Sequence, residues 1–292
     1  MTKLNNYKLL DSYTEEDVIN ANKKIYAKNA ETYEDVVFTK NANQRLRTLL
    51  SNAVRILSTK KRKIVALDAC GGTGQASFIL YDMGCTTHLV DLSSKMIKNM
   101  NIKCQQGKIE VQSFTSEINE FFQNNKIKYD LIVFSSSLHH LRYPDKVLNS
   151  AANNLSKGGI VATISDPTTN IQKLSFKTLS LFDRAINHIL NSPKIFFEIM
   201  IRKLSRKNLF KETKGNTPDW LAEFHTVYGI DDFSLANSQI SNGNYILMHK
   251  RFTAGYTKLF QIIYKLLKLN TSFSLLISNE TYSDINTEID LK

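Results

Sequence analysis

The sequence predicts an α/β fold built on a doubly wound, mostly parallel, seven-stranded sheet, with helical segments at the N-terminus and in a cap. Three observations predict it. Short apolar runs alternate with helical stretches from Lys63 onward, a glycine-rich turn (Gly71-Gly72-Thr73-Gly74) joins the first run to the first of these helices, and a turn signal at Asn242-Gly243 opens a last pair of strands. Alternation on this scale forms βαβ units, whose right-handed crossovers place ligands outside the carboxyl ends of the strands.

The elements follow in order. Residues 14–58 contain no Gly or Pro and carry apolar side chains at helical intervals, for example Leu46, Leu49, Leu50, Val54, Ile56 and Leu57, so one or two helices precede the sheet. The runs Ile64–Leu67, Thr87–Val90, Ile109–Val111, Leu131–Phe134 and Ile160–Ile164 read as five strands, and segments 75–84, 93–103, 116–125 and 144–155 as the helices between them. After Asp166-Pro167 the alternation stops. Residues 169–214 hold ten Lys/Arg against three acids, mixed with apolar residues such as Phe196, Phe197, Ile199 and Met200, which predicts basic amphipathic helices forming a lid or cap. Tyr245–Phe252 reads as a strand, Tyr256–Leu269 as a helix and Phe273–Ile277 as a last strand, so that the tail adds an edge hairpin. The chain thus divides into N-terminal helices (1–61), a cofactor-binding core (62–168), a basic helical cap (169–219) and a C-terminal part that completes the sheet (220–292).

Composition narrows the class. With 292 residues, 42% of them hydrophobic, the chain can bury a full core, and eleven Gly and four Pro leave no room for a collagen-like or low-complexity protein. A net charge of 38 − 27 = +11 favours phosphates or an anionic membrane surface as partners and carries no information on fold. Three cysteines, Cys70, Cys85 and Cys104, form no C-x-x-C or Cys/His spacing, so neither a disulfide framework nor a metal site is expected. The N-terminus has no apolar leader-like run, and no window approaches the roughly 18 apolar residues of a spanning helix. The expectation is a cytoplasmic protein, soluble or membrane-peripheral.

The stretch that carries chemistry is Val65-Ala-Leu-Asp68-Ala-Cys70-Gly71-Gly72-Thr-Gly74-Gln-Ala, a buried strand ending in an acid, then glycines, then a helix. Glycines let the backbone approach a ligand closely, and the helix N-terminus offers free N–H groups. Asp91 closes the next strand, twenty residues after Gly71, where a carboxylate can accept two ribose hydroxyls. The pair indicates an adenosine-containing cofactor. A dinucleotide fingerprint would require Gly or Ala at Ser77, and pyrophosphate binding gives no use for Asp68. An extra carboxylate suits a cofactor with a cationic amino-acid part, which is S-adenosylmethionine.

DACGGTG at 68–74, followed by VDLSSKMI, KYDLIVFSSSLHHL and LSKGGIVATISDP, resembles the class I S-adenosylmethionine-dependent methyltransferases over about residues 62–168. In that family an acid is followed by three alternate small residues; Asp68, Gly72 and Gly74 fit, and Cys70 replaces the first glycine. The resemblance implies a Rossmann-like sheet, ribose binding by Asp91, and Leu92 and Met96 flanking adenine. It implies adenine recognition at Ser113-Phe114, where the family commonly has an Asp, and includes Ser135 at the end of the fourth strand among the cofactor-binding residues. LAEFHTVYGIDDFSLA and FTAGYTKLF resemble the tails of small-molecule members, and Tyr26-x6-Tyr33 resembles a helix that closes over the cofactor.

His139 and His140 follow the fourth strand at the edge where a reactive methyl would lie. Methyl transfer needs alignment and water exclusion, and a base only if the acceptor must lose a proton; histidine suits that task near neutral pH. The alternative is that one histidine caps the turn and the other packs beneath it. His225 beside Glu223 would form a His–carboxylate dyad only on an extended segment, because residues two apart share a face of a strand and not of a helix. Asp166 either lines the same pocket or marks an ordinary strand exit.

The expected activity is methyl transfer to a small-molecule or lipid-like acceptor, with O-, N- and C-methylation left open, as is peripheral contact with an anionic membrane. Nucleic acid is disfavoured, since no Asn/Asp-Pro-Pro-aromatic loop or Pro-Cys pair follows the fourth strand. An NAD(P)-dependent oxidoreductase and a non-catalytic binding protein of the same fold are the competing readings.

Overall fold

Strands rich in Val, Ile, Leu and Phe, buried on both faces, need helices above and below them, and the chain supplies both layers. A computed structural model describes residues 10–29, 40–61, 63–191, 219–253 and 257–282. Two helices, α1 (Glu15–Asn29) and α2 (Lys40–Ser58), lead into β1 (Val65–Ala69), α3 (Gln75–Asp82), β2 (Thr86–Asp91), α4 (Ser94–Gly107) and β3 (Val111–Thr115). Then come α5 (Ile118–Asn124), β4 (Tyr129–Ser135), α6 (Pro144–Asn153), β5 (Leu155–Pro167) and α7 (Leu174–Asn191). The last part holds α8 (Phe224–Tyr228), α9 (Asp232–Ser241), β6 (Tyr245–Phe252), α10 (Lys258–Leu266) and β7 (Ser272–Ser278).

The seven strands lie in the order β3-β2-β1-β4-β5-β7-β6, with β1 to β5 parallel and β7 antiparallel to both β5 and β6. The order reverses between β1 and β4, and a ligand crevice opens at the carboxyl ends on either side of such a switch. Alternation along the strands builds the two layers. Ala66, Leu131, Val133, Ala162 and Leu276 face α2 and α3, where Leu49, Leu50, Ala53 and Leu80 are fully buried. Leu67, Ile132, Phe134, Val161 and Leu275 face the opposite way, onto α5, α6 and α9.

The third strand departs from its expected place. It runs Val111–Thr115 and not Ile109–Val111, because Ile109 closes the turn after α4, donating its N–H to the Cys104 carbonyl. The fifth strand is longer than Ile160–Ile164, and the last helix starts at Lys258. Of the basic cap, α7 is described as far as Asn191; Phe196, Phe197, Ile199, Met200 and the cations from Lys194 to Lys214 lie outside the described residues, as do Tyr33 and Tyr256.

Candidate active site

A cleft opens at the switch point, lined by the glycine turn, the carboxyl ends of β1, β2 and β4, and α1. One wall is the glycine turn. Asp68, one residue before the end of β1, is fully buried, and its Oδ2 accepts the Ser77 N–H at 2.9 Å and the Ser77 hydroxyl at 2.8 Å. Ser77, the residue that breaks a dinucleotide fingerprint, therefore anchors the acid. The other oxygen, Oδ1, is buried without a hydrogen-bond partner. Burial pushes the Asp68 carboxyl up to about 7, with the Ser77 bonds opposing and the nearby Asp91 charge adding. An orphaned carboxylate oxygen facing a cleft is costly unless a cation or donor meets it.

The turn itself is shaped for close approach. A Cβ at Gly71 would come within 2.7 Å of Asp68 Cγ and 2.8 Å of Leu89 Cδ1, and Gly74 takes φ +88 where α3 begins. Cys70 lines the cleft at φ +56, a left-handed conformation that costs a non-glycine residue about 1 kcal/mol. Gly72 lines the cleft at φ +55, and a side chain there would meet no protein atom.

Asp91 ends β2 opposite. Its Oδ2 accepts the Gly72 N–H at 2.9 Å and its Oδ1 the Ser93 N–H at 2.8 Å, so both oxygens are fixed while each keeps a lone pair for a ligand. Burial raises this carboxyl, and the two backbone bonds offset part of the rise. Leu92 and Met96 also line the cleft, as does Ser135 at the end of β4.

Ser113 and Phe114 do not. The longer third strand turns the Ser113 hydroxyl onto Asn101 at 3.0 Å and packs Phe114 between His88 and Phe121. The loop reaching the cleft is Ser116-Glu117, with Asn119 beside it. No signal in an isolated sequence marks Glu117 except its place as N-cap of α5, where its side chain accepts the Glu120 N–H.

The opposite end of the cleft is built on the turn after β4. His140 lines it; His139 and His225 stand behind. His139 is buried, and Asp166 Oδ1 accepts both its N–H, at 3.1 Å, and its Nδ1, at 2.8 Å, so Asp166 braces this turn from beneath the cleft wall. His140 Nδ1 lies 2.8 Å from the Ala222 carbonyl, which can only accept, so Nδ1 carries the proton and Nε2 is left to accept from the Tyr26 hydroxyl at 2.7 Å. Burial, with the neighbouring His139 and His225, holds His140 well below its ordinary value, so it stays neutral at pH 7. Tyr26 and Asn22, which donates to the His140 carbonyl, come from α1, a contact the sequence suggested only through Tyr26.

The Glu223–His225 dyad is not formed. The segment is a 3-10 turn running into α8, so the two side chains diverge: Glu223 stands 4.0 Å from His140 Nδ1, while His225 turns into the interior, toward the Leu141 and Arg142 backbone. Burial takes His225 down to about 4. His139, His140 and Glu223 offer ligand atoms within 4.8 Å of one another, but both His140 nitrogens are engaged, which makes the cluster a hydrogen-bond network and not a preformed metal centre.

A family model for a methyltransferase domain matches residues 39–197, just over half of the chain. No protein of curated function matches the sequence. Among solved structures, the plantazolicin methyltransferase BamL, in complex with a triazolic desmethylPZN analog and SAH, superposes with a TM-score of 0.53 at 13% identity, covering 91% of this chain and 97% of that one. A S-adenosylmethionine-dependent methyltransferase from Clostridium acetobutylicum ATCC 824 gives a TM-score of 0.52 at 13% identity, covering 88% and 98%. The plantazolicin methyltransferase BpumL, in complex with SAH, gives 0.52 at 13% identity, covering 94% and 99%. At such identities these likenesses show the fold, which is the Rossmann-like sheet expected.

Proposed function

The chain belongs to the methyltransferase domain family, and from that premise we propose that it uses S-adenosylmethionine to methylate a small-molecule or lipid-like acceptor in the cleft between α1 and the carboxyl ends of β1, β2 and β4. The observation that carries the proposal is the pair of acids. Asp68 Oδ1 would take the ammonium of the cofactor's amino-acid part, and Asp91 the two ribose hydroxyls, with Gly72 leaving room between them. Leu92 and Met96 would flank the adenine, and the Ser116-Glu117 loop would meet its edge.

The cofactor supplies an electrophilic methyl on a sulfonium. This chain aligns an acceptor against it and keeps water out, the role of the apolar wall formed by Val18, Ile19, Leu141 and Val147. Where the acceptor must lose a proton, the Tyr26 oxygen would take it as the Tyr26 hydroxyl passes its own proton to His140 Nε2, the nitrogen that the Ala222 carbonyl leaves unprotonated; both residues line the cleft. His139 and Asp166 are positioning residues that hold this turn, and His225 packs behind them.

Calorimetric titration of the purified protein with S-adenosylhomocysteine and with NAD tests the reading. Micromolar binding of the sulfur nucleotide, lost in Asp91→Ala and kept in His140→Ala, is expected. Binding of NAD alone, or of neither, sinks it.

A further inference from the structure

Two amphipathic helices, α7 and α10, pack against each other at the carboxyl edge of the sheet. Helix α10 bridges Phe252, the end of β6, and Ser272, the start of β7, which pair with each other; Ser272 also pairs with Pro167, where β5 ends and the chain turns toward α7. Their shared interior is small. Phe176, Leu179 and Ile186 meet Phe260 and Tyr264, with the Phe176 and Tyr264 rings 5.6 Å apart.

What they leave outside is unusual. Leu174 is 79% exposed and Leu266 77%, and Leu181, Phe182, Leu259, Ile262 and Leu267 are all more than half exposed. Half of the exposed large apolar side chains among the described residues thus lie on these two helices and on the residue that ends α10. Large apolar patches on a water-soluble surface mark interaction sites.

Among the described residues, the charges interleaved with these side chains have one sign. Lys173 and Lys177 border the α7 side, and Lys258, Lys265 and Lys268 border the α10 side, all exposed. The acid between 173 and 187 is Asp183 alone, and 257–269 contains none. Asp183 is fully buried, accepting the Thr257 N–H at 2.9 Å and the Thr257 hydroxyl at 2.8 Å, so it presents no charge outward.

We propose that the exposed apolar stripe of α10, Leu259, Ile262 and Leu266, bordered by Lys258, Lys265 and Lys268, docks on an anionic lipid surface. Leucine and isoleucine side chains enter the headgroup boundary while the lysine stems snorkel and place their ammonium groups among lipid phosphates. A second copy of the chain is a poor occupant, because two such faces would bring like charges together. No described helix is long and apolar enough to cross a membrane, so the contact is interfacial. The face lies at the same edge of the sheet as the cleft, but the inference does not depend on the methyl-transfer reading.

The test is co-sedimentation of the full-length protein with vesicles of phosphatidylglycerol or of phosphatidylcholine alone, at low and high salt, with thermal unfolding as the check that each variant folds. Binding to the anionic vesicles only, weakened by salt, is expected. Lysine-to-alanine changes at 258, 265 and 268 should weaken it about fivefold each, on the order of a hundredfold together. The double variant Ile262→Asp/Leu266→Asp should abolish it. Absence of binding to both vesicles, equal binding to both, or a concentration-dependent dimer that the double variant dissolves would each overturn the proposal, the last by giving the face to a second copy.

Discussion

Asp68 is held between two demands at the residue scale. It caps the first turn of α3 through Ser77 and leaves one buried oxygen bare, so its carboxyl stands at about 7 against an ordinary 3.8. A carboxyl whose pKa is raised on folding binds its proton more tightly in the folded state, so this group subtracts stability as pH climbs from 3.8 towards 7. A cationic ligand reverses the sign, since it pairs with the ionised form. The affinity for S-adenosylhomocysteine is therefore expected to rise with pH, about tenfold per unit below 7 and flat above it. Calorimetry between those limits checks this, and Asp68→Asn should bind weakly with the slope gone. A wild-type slope that persists in Asp68→Asn would assign the titration elsewhere. That Asp68, Asp91, Leu92 and Met96 line one cleft was legible in the sequence because a strand end, a glycine turn and the next strand end lie within thirty residues and have local signatures. Ser116 and Glu117 were not, because β3 is an edge strand whose exposed Gln112 and Thr115 interrupt the apolar run that marks the inner strands.

Elements meet where short-range signals are weakest, and the junction between β5 and α8 shows it. The β5 exit is clamped to the turn after α8 by Ile230 N–H donating to the Pro167 carbonyl at 2.8 Å and Thr169 N–H donating to the Ile230 carbonyl at 3.2 Å. That approach works only because residue 229 is glycine, with φ +75; a Cβ there would lie 2.3 Å from the Thr168 carbonyl oxygen and 2.7 Å from the Thr169 nitrogen. Backbone on both sides cannot give way cheaply, so Gly229→Ala is expected to cost about 3 kcal/mol. Gly243, at φ +82 with nothing within 4 Å, provides the contrast, and Gly243→Ala should cost only about 1 kcal/mol. Urea midpoints of the two variants decide it; equal losses would mean the junction yields. The same junction explains a misplaced expectation. Glu223 and His225 read as a pair on an extended segment, yet the chain needs a tight helical turn here to bring Ala222 to His140 and His225 into the interior, a demand made by residues more than eighty positions away.

Across the whole molecule, the cleft gathers distant parts of the chain. Helix α1 forms one wall through Val18, Asn22 and Tyr26, and it is held there by Leu221, Ala222 and Phe224, so the first described helix rests on residues near 220. The parallel βαβ core and the final hairpin were readable from alternation; this closure was not, since nothing in either segment names the other. It has a thermodynamic consequence. A ligand that binds only the folded protein stabilises it by about 2.7 kcal/mol at a hundred times its dissociation constant, and for a chain of this size that corresponds to a rise in Tm of roughly 4 °C. Saturating S-adenosylhomocysteine is expected to give that rise, and NAD none. Because the site includes α1, amide exchange should slow in residues 15–29 and 219–228 as well as around Gly71, while α7 and α10, outside the cleft lining, stay close to their unliganded rates. Protection confined to the glycine turn would mean that α1 covers the cleft without joining the site. The base role of His140 would then lose its support, since its Nε2 partner Tyr26 is carried by that helix.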